Sequence, residues 1–404
     1  MEARKKWDIL SISSIPLSMT LANSMLIPVL PAMQKALRIT PLQASLIITA
    51  YAAVAILFIP IAGYLSDRFS RKAVILPSLL IVSAAGAGAG IVATIGSEHA
   101  YGYIMAARLV QGLGSAGCFP VVLPLVGDLF KKEEDVSAGL GLVETANTFG
   151  KVVSPILGAA FAIWTWYAPF YAIPVFSLIS FLLVLFFVKS PSSQNEEDAD
   201  KTGLGEFIKS IGTIFRAKGK WLSGIFAIGG ISMFVVFGSL FFLSESLETR
   251  GVKPLIKGLV LAIPLAGLCL VSFLSGKWIG RNKRTMKWTS LVGLGLAFAA
   301  LLLLAIVRRD QTWWVVLMLA VGSSGIGAAL PSLDALITEG IDKKQRGTVT
   351  SLYSSMRFIG VAAGPPVSAL LMKGSMSALF YVSAGSLVVA VLINTFAIRP
   401  GQVS

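Results

Sequence analysis

The feature that most constrains this chain is a series of twelve apolar runs, each long enough to cross a lipid bilayer as a helix. A helix rises about 1.5 Å per residue, so roughly 20 apolar residues cross a hydrocarbon core about 30 Å thick. We therefore predict an all-α membrane protein with twelve transmembrane spans. The predicted spans are residues 9–30, 44–66, 73–94, 101–123, 137–161, 166–189, 221–245, 256–279, 287–308, 313–337, 347–372 and 378–398.

Composition and charge agree with this prediction. Charged residues make up 13% of the chain, whereas soluble proteins carry roughly 25%. The net charge of +14 would suit a nucleic-acid-binding protein, but with the N-terminus inside, most of the 34 Lys and Arg residues fall in the cytoplasmic segments. Because this is the positive-inside pattern, we predict a plasma-membrane protein with cytoplasmic termini and no nucleic-acid partner.

A polar stretch, residues 190–203, separates the sixth and seventh spans. We predict an N-terminal six-helix bundle over 1–190, a cytoplasmic linker over 191–220 and a C-terminal six-helix bundle over 221–404. The linker also contains apolar residues at helical spacing, which predict an amphipathic helix on the inner membrane surface or an ordinary packing helix. These residues are Phe207, Ile208, Ile211, Ile214 and Phe215.

The two halves resemble each other in sequence. Paired features recur at a nearly constant spacing, which indicates a duplicated six-helix unit. The matched pairs are Arg68 with Arg281, Arg71 with Arg284, Pro120 with Pro331, Asp128 with Glu339, Gly150 with Gly360 and Pro155 with Pro365. Two pseudo-symmetric bundles around a central cavity are typical of secondary transporters. The alternative is a duplicated scaffold that has no transport role.

Four short patterns mark particular spans. Span one ends with LA, five residues and PVLP, and the loop after span two reads GYLSDRFSRK from Gly63. Span four contains RLVQG, which begins at Arg108. Span five carries small residues and a proline at fixed intervals, namely Gly141, Gly150, Ser154, Pro155 and Gly158.

Together these patterns resemble the major facilitator superfamily, and specifically its twelve-helix drug:proton antiporters. The family patterns are L-g-x5-P-v-x-P, G-x-L-a-D-r-x-G-r-K, R-x-x-q-G and G-x8-G-x3-G-P-x2-G-G. This chain departs from them at Ser70, Ser154 and Ala159, where the family has glycine. The resemblance implies the major facilitator fold and proton-coupled export of small amphipathic molecules by alternating access.

The resemblance also implies roles for individual residues. The loop after span two is expected to gate the transporter, and Arg108 is expected to take part in proton handling. The gating residues are Gly63, Asp67, Arg68, Arg71, Lys72 and Asp128. Gly63 is expected to let helices approach closely, and the three basic residues are expected to pair with Asp128. The alternatives are positive-inside anchoring for the loop, a structural role for Arg108 against the carbonyls of span one, and a generic small-residue interface in span five.

Ionisable residues inside a span are expensive and usually functional. Glu144, Asn147 and Lys151 are spaced three and four residues apart, so they share one face of span five. Arg357 takes the repeat position of Asn147, so we expect it across the cavity. Our hypothesis is that Glu144 exchanges protons and competes with substrate. The alternative is a buried ion pair of Glu144 with Lys151 or Arg357 that only fixes helix positions.

These residues do not determine the charge of the substrate, since Arg108, Lys151 and Arg357 outnumber Glu144 inside the membrane. An anionic or zwitterionic substrate is therefore considered beside a cationic one. The candidate substrate-binding residues are Asn23, Glu144, Asn147, Lys151, Arg357, Phe234 and Glu245. The candidate proton-coupling residues are Glu144, Arg108 and Asp128.

Enzyme chemistry is not indicated. The sequence has one histidine and lacks phosphate-loop, zinc-binding and nucleophile-elbow patterns. We expect no cofactor and no metal, a monomer, and a small-molecule substrate, protons and the lipid bilayer as partners. The alternatives to a broad drug exporter are a dedicated exporter of one endogenous anionic or zwitterionic metabolite, metallophore or lipid precursor, and a non-transporting membrane sensor.

Overall fold

A computed structural model describes residues 3–129, 133–188, 204–280, 282–307, 311–341 and 343–398. Within these ranges the regular structure is entirely helical. One 3-10 turn, Ile27–Val29, separates the first two α-helices. The α-helices are α1 Ala3–Ser24, α2 Leu30–Leu37, α3 Pro41–Arg68, α4 Arg71–Ile95, α5 Ala100–Ala116, α6 Phe119–Leu129, α7 Glu133–Ala162, α8 Ala168–Phe187, α9 Leu204–Thr249, α10 Pro254–Ile279, α11 Lys283–Ile306, α12 Thr312–Gly340, α13 Lys343–Met372 and α14 Met376–Ala397.

The predicted all-α membrane fold is confirmed. Among the described residues, 11 helical stretches are long and apolar enough to cross a membrane. They cover eleven of the twelve predicted spans, with α1 and α2 forming one stretch and α5 and α6 another. Predicted span five lies in α7, a 30-residue helix whose apolar character is lowered by Glu144 and Lys151.

The helix ends follow local sequence signals. Thr40 begins α3 with a capping box, in which its side chain accepts from the backbone N–H of Gln43 and the Gln43 side chain accepts in return. Gly96 ends α4 in the left-handed conformation, with φ of 67°. Pro28 and Pro31 follow the end of α1, where the chain makes the 3-10 turn before α2.

The predicted amphipathic segment is not a separate helix. Residues 204–220 form the first part of α9, a continuous 46-residue helix that also contains span seven. No proline interrupts this stretch, so the helical hydrogen bonds can continue through it. Lys218 Nζ donates to the backbone oxygen of Gly340 at 2.8 Å, which joins the start of α9 to the end of α12. Linker residues 191–203 lie outside the described residues.

Helix packing repeats between the two halves of the chain. In the first half α1 packs on α7, α3 on α5 and α4 on α8; in the second half α9 packs on α13, α10 on α12 and α11 on α14. The halves meet through two equivalent pairs, α3 with α13 and α7 with α10. A cavity therefore lies between α1, α3 and α7 on one side and α9 and α13 on the other.

Among the described residues, hydrogen bonds between the halves lie toward one end of the bundle. We call this end, which holds the loops after α2 and α9, the distal end, and the end where α1 begins the terminal end. Gln34 Nε2 donates to Glu245 Oε1 at 2.5 Å, and Ser244 Oγ donates to the Ile27 carbonyl at 3.0 Å. Deeper, Thr49 Oγ1 donates to the Ala362 carbonyl at 2.6 Å. The distal end is thus closed in this conformation.

An ion-pair cluster strengthens this distal closure. Glu248 on α9 accepts from Lys35 on α2 at 2.6 Å and from Lys257 on α10 at 2.8 Å. Lys257 is buried, whereas Lys35 is exposed. The cluster therefore ties the first half of the chain to two helices of the second half.

Candidate functional site

The central cavity lies between the halves and contains about 700 Å³ of empty space. Three of the predicted substrate-binding residues line it from the first half of the chain, namely Asn23, Asn147 and Lys151. Arg357 lines it from α13, so the expected position across the cavity is found. No carboxylate of a described residue lines this cavity.

Apolar and aromatic side chains form much of the remaining wall. Tyr51 on α3 and Phe358 on α13 approach across the two halves, with ring centroids 6.5 Å apart. Met233 and Phe237 on α9 line the same space. Such a wall suits a molecule with an aromatic or apolar body, because ring faces and methionine side chains adapt to varied shapes.

A second cavity, of about 510 Å³, adjoins the first and is lined by charged residues of both signs. Glu144 and Lys151 come from α7, Asp334 from α12 and Arg357 from α13. Lys151 and Arg357 line both cavities, so these two cations stand where the spaces meet. We call the two joined cavities the chamber. Two acids and two bases line it.

Glu144 is held by its neighbour on the same helix face. Asn147 Nδ2 lies 3.2 and 3.3 Å from the two carboxylate oxygens of Glu144. The side-chain oxygen of Asn147 in turn accepts from Thr20 Oγ1 at 2.7 Å. Because Asn147 bonds to both α7 and α1, it fixes where the Glu144 carboxylate sits in the chamber.

Arg357 and Lys151 have no hydrogen-bond acceptor among the described residues. The nearest carboxylate oxygen to Arg357 belongs to Asp334, at 3.9 Å, which is too long for a hydrogen bond. The Arg357 guanidinium also lies 5.6 Å from the centre of the Tyr353 ring. Within the described part of the chain, Glu144 and Asp334 act on both cations through their charge and not through hydrogen bonds. Both cations thus have hydrogen-bond donors available to a ligand.

Arg108 is the opposite case. Its guanidinium is fully buried and donates to the carbonyls of Ile47 at 3.0 Å and Ala22 at 3.3 Å. It also donates to Gln111 Oε1 at 2.6 Å and Asn23 Oδ1 at 2.7 Å. These contacts join α5 to α1 and α3, which matches the structural alternative that the sequence left open.

Two other predicted substrate-binding residues lie away from the chamber. Phe234 is absent from the lining of both cavities, and its neighbours Met233 and Phe237 take that place. Glu245 belongs to the distal end, where it accepts from Gln34. Helical spacing alone cannot show which of several neighbouring apolar positions faces a cavity, because the packing of the adjacent helices sets that orientation.

Asp334 is a site residue that was not among the residues predicted from the sequence. It lies inside predicted span ten, residues 313–337, so the rule that singled out Glu144 applied equally to it. Its side chain is 42% exposed and faces the chamber. An ionisable residue inside an apolar span can be recognised from the sequence. The pairing of Asp334 with Arg357 cannot, because it depends on how α12 and α13 pack.

The gating loop shows some of the expected contacts. Arg71 Nε lies 3.1 Å from Asp128 Oδ2, which is the predicted pairing across α4 and α6, and Arg71 also donates to Ser66 Oγ at 2.7 Å. Lys72 donates to the carbonyls at the end of α8, and Arg68 to the Tyr64 hydroxyl at 3.4 Å.

Glycine at the start of this loop does not have the expected contact. The predicted close approach of helices at Gly63 is not found, since a Cβ atom there would meet no other atom within 4 Å. In this conformation no neighbouring helix is close enough to require a glycine at this position. The side chain of Asp67 lies outside the described residues.

Gly150, Pro155 and Gly158 of span five lie at helix contacts. Gly150 packs against Leu17 and Thr20, and Gly158 packs against the Met25 backbone, so both bring α7 onto α1. The Pro155 carbonyl faces Gly258 of α10, across the two halves. Ser154 is buried and bonds to the Lys151 carbonyl at 3.1 Å. Gly141 differs, because a side chain there would meet nothing within 4 Å.

Comparison with known proteins places this architecture in a family. The family model described as Major Facilitator Superfamily matches residues 12–365 and 287–403. Among curated proteins, the bacillibactin exporter of Bacillus subtilis (strain 168) is 51% identical over 97% of this chain and 96% of that protein. The multidrug efflux protein YfmO of the same organism is 26% identical over 89% of this chain and 85% of that protein.

Solved structures show the same fold. The human organic anion transporter MFSD10 (TETRAN) superposes with a TM-score of 0.74 at 19% identity, covering 96% of this chain and 99% of that one. A bacterial homologue of the human lysosomal transporter Spinster, solved in an inward-facing conformation, gives 0.71 at 16% identity and covers 100% of this chain and 97% of that one. The chain therefore belongs to the Major Facilitator Superfamily, and it is a transporter and not an enzyme.

Proposed function

We propose that this transporter exports one endogenous anionic compound, of the metabolite or metallophore class, through the central chamber. The main support for the proposal is that the Lys151 and Arg357 side chains lack hydrogen-bond acceptors among the described residues. Both cations face the chamber, and neither donates a hydrogen bond to a described residue. Because a cation without a hydrogen-bond acceptor is costly away from bulk water, an anionic ligand would stabilise both groups.

A dedicated exporter is favoured over a broad drug exporter. A relative that is 51% identical over 97% of this chain is named for one exported compound, bacillibactin, whereas the multidrug protein YfmO is 26% identical. The lining of the central cavity supports an anion, because among the described residues it combines two cations with apolar and aromatic walls. Glu144 and Asp334 line the adjoining charged cavity and not the central one. We therefore propose bacillibactin, or a closely similar anion, as the substrate.

Alternating access fits the arrangement of contacts. The distal end is closed by bonds between the halves, while Asp334, on the terminal side of the chamber, is 42% exposed. With cytoplasmic termini, which remain a prediction, this conformation would load substrate from the cytoplasm. Opening the Glu248 cluster and closing the terminal end would then release substrate outside.

The membrane potential is part of the proposed driving force for export. An anion that leaves a cell with a negative interior gains about 2.3 kcal/mol per charge for each 100 mV of membrane potential. Proton coupling remains a prediction, and Glu144 and Asp334 are the described carboxylates of the chamber that can carry protons. Arg108 and Asp128, predicted to take part in coupling, do not line this chamber. A monomeric state likewise remains a prediction.

The test is export from cells that lack their own bacillibactin and tetracycline exporters. Cells expressing this chain should export bacillibactin and should gain no tetracycline resistance. The Arg357→Gln variant should lose most bacillibactin export at equal expression, and Lys277→Gln, outside both cavities, should retain it. Tetracycline resistance without bacillibactin export would restore the broad drug exporter as the better account.

A further inference from the structure

The Asp334 carboxylate and the Arg357 guanidinium form a loose pair inside the chamber. Their closest atoms are 3.9 Å apart, and the Asp334 side chain is 42% exposed while that of Arg357 is 15% exposed. An arginine that pairs firmly with a carboxylate makes two parallel hydrogen bonds at about 2.7–2.9 Å. This pair makes none, so Arg357 is neutralised but not saturated.

Arg357 is shared between the two cavities, and Asp334 is not. Asp334 lines only the charged cavity, whereas Arg357 lines both cavities. An anion in the central cavity can therefore reach Arg357 through a space that Asp334 does not line. The guanidinium can bind both only if two negative charges share it at close range.

We propose that Asp334 is an internal counter-ion that competes with the anionic substrate for Arg357, and that substrate binding is accompanied by proton uptake at Asp334. The inference rests on the proposed anionic substrate. Asp334 holds Arg357 in the empty transporter and weakens substrate binding when it is ionised. It is a specificity-determining residue that acts through Arg357.

The sign of the proton movement follows from electrostatics. An anion near a carboxylate makes the ionised carboxylate less favourable, so binding of the anion draws a proton to Asp334. By linkage, substrate then binds more tightly as the pH falls. An exporter in which proton and substrate exclude each other would instead release a proton when substrate binds. The two mechanisms predict opposite signs.

Proton uptake at Asp334 must be distinguished from proton uptake at the other groups that face it. Glu144 and Lys151 approach from α7, and Arg357 and Tyr353 from α13. Helix α10 contributes Leu268 and Ser272 to the same lining, and neither titrates. Among the described residues that line this cavity, Glu144 is therefore the one other acid, and it is the source of a competing signal.

The experiment measures bacillibactin affinity and proton uptake on the purified full-length transporter between about pH 6 and 8. Wild-type protein and the variants Asp334→Asn, Asp334→Glu and Glu339→Gln are compared. Glu339 is an exposed acid on the same helix, outside both cavities, and is the matched control. Because the substrate's own titration is the same for every protein, differences between proteins report on the substituted side chain.

Asp334→Asn should bind bacillibactin roughly two- to fivefold more tightly at pH 8, the range that partly exposed ion pairs contribute. It should also lose a proton uptake that reaches roughly 0.2–0.4 proton per substrate in the wild type, because the two- to fivefold penalty of the ionised carboxylate limits the pH-dependent change in Kd to the same factor. Asp334→Glu should keep the wild-type pH profile, which a merely folding-impaired variant would not. Glu339→Gln should match the wild type.

Two results would overturn the inference while leaving the anionic substrate in place. These are weaker or unchanged binding by a folded Asp334→Asn protein, and a pH profile of that variant identical to the wild type. If wild-type protein does not bind bacillibactin at any pH, the proposed function fails first and the inference fails with it. Thermal unfolding of each variant separates loss of folding from loss of binding.

Discussion

The cations inside the bundle differ in the number of hydrogen bonds they donate. This difference distinguishes a cation with a structural role from cations that can bind a ligand. Arg108 is fully buried and donates four hydrogen bonds to groups of the first half of the chain. Lys151 and Arg357 line the chamber and donate none to described residues. A saturated arginine holds helices together, and an unsaturated one is available to a ligand.

This contrast predicts different effects of the same substitution. Arg108→Gln should lower the unfolding temperature strongly, because removing a buried charge leaves two carbonyls and the Asn23 and Gln111 oxygens without a donor, at about 1–3 kcal/mol for each group. Arg357→Gln should leave the unfolding temperature nearly unchanged. Thermal unfolding of the two purified variants in the same detergent checks this. Equal losses of stability would contradict the assignment of separate roles.

Residue spacing alone predicted part of the site. The helical period placed Glu144, Asn147 and Lys151 on one face, and the internal repeat placed Arg357 opposite, and all four line the joined cavities. The partners of Arg108 could not be predicted, because they depend on how three helices cross. Asp334 is also an ionisable residue inside a predicted span, and it was not among the predicted site residues.

At the scale of helices, glycine marks the places where backbones touch. Gly158 lies so close to the Met25 backbone that a side chain cannot fit without movement, while Gly141 on the same helix is open. The sequence pattern predicted both as parts of one motif, and only the packing of α7 on α1 distinguishes them. The family pattern therefore indicates helix contacts, and the conformation decides which are made.

We predict that Gly158→Val destabilises the transporter and abolishes export, because the added side chain would push α7 away from α1. Overpacking of this kind costs about 1–3 kcal/mol or more. Gly141→Val, the matched control, should fold and unfold like the wild type. Both are measured by thermal unfolding and by export from cells. A stable Gly158→Val protein would contradict the packing described for this crossing.

The distal ion-pair cluster is a second feature at this scale. Glu248 holds Lys35 of the first half and Lys257 of the second, so its loss should favour opening of the distal end. Of the two pairs, the one with Lys35 joins the halves, and an exposed pair contributes about 0.2–1 kcal/mol, so Glu248→Gln should shift the equilibrium roughly 1.5- to fivefold. Spin labels at Ala36 and Lys253, exposed on different halves, report the distance. An unchanged distance distribution would contradict this role for Glu248.

At the scale of the whole molecule, two similarly packed halves enclose a chamber that is closed at one end. The contacts α3 with α13 and α7 with α10 join the halves, and the repeated pairs within each half leave them as separate packing units. Sequence periodicity predicted the spans and the duplication, because both follow from hydropathy and recurring motifs. It could not predict which end is closed, since the same helices serve every conformation.

The central claim is that Lys151 and Arg357 bind the anionic group of the substrate. The most direct measurement is the Kd of bacillibactin for wild-type protein, Lys151→Gln and the control Lys277→Gln by titration calorimetry. Hydrogen bonds to charged groups contribute about 1.5–3 kcal/mol, so Lys151→Gln should weaken binding by roughly tenfold or more, and Lys277→Gln should not change it. A Kd that is the same for all three proteins would contradict the account.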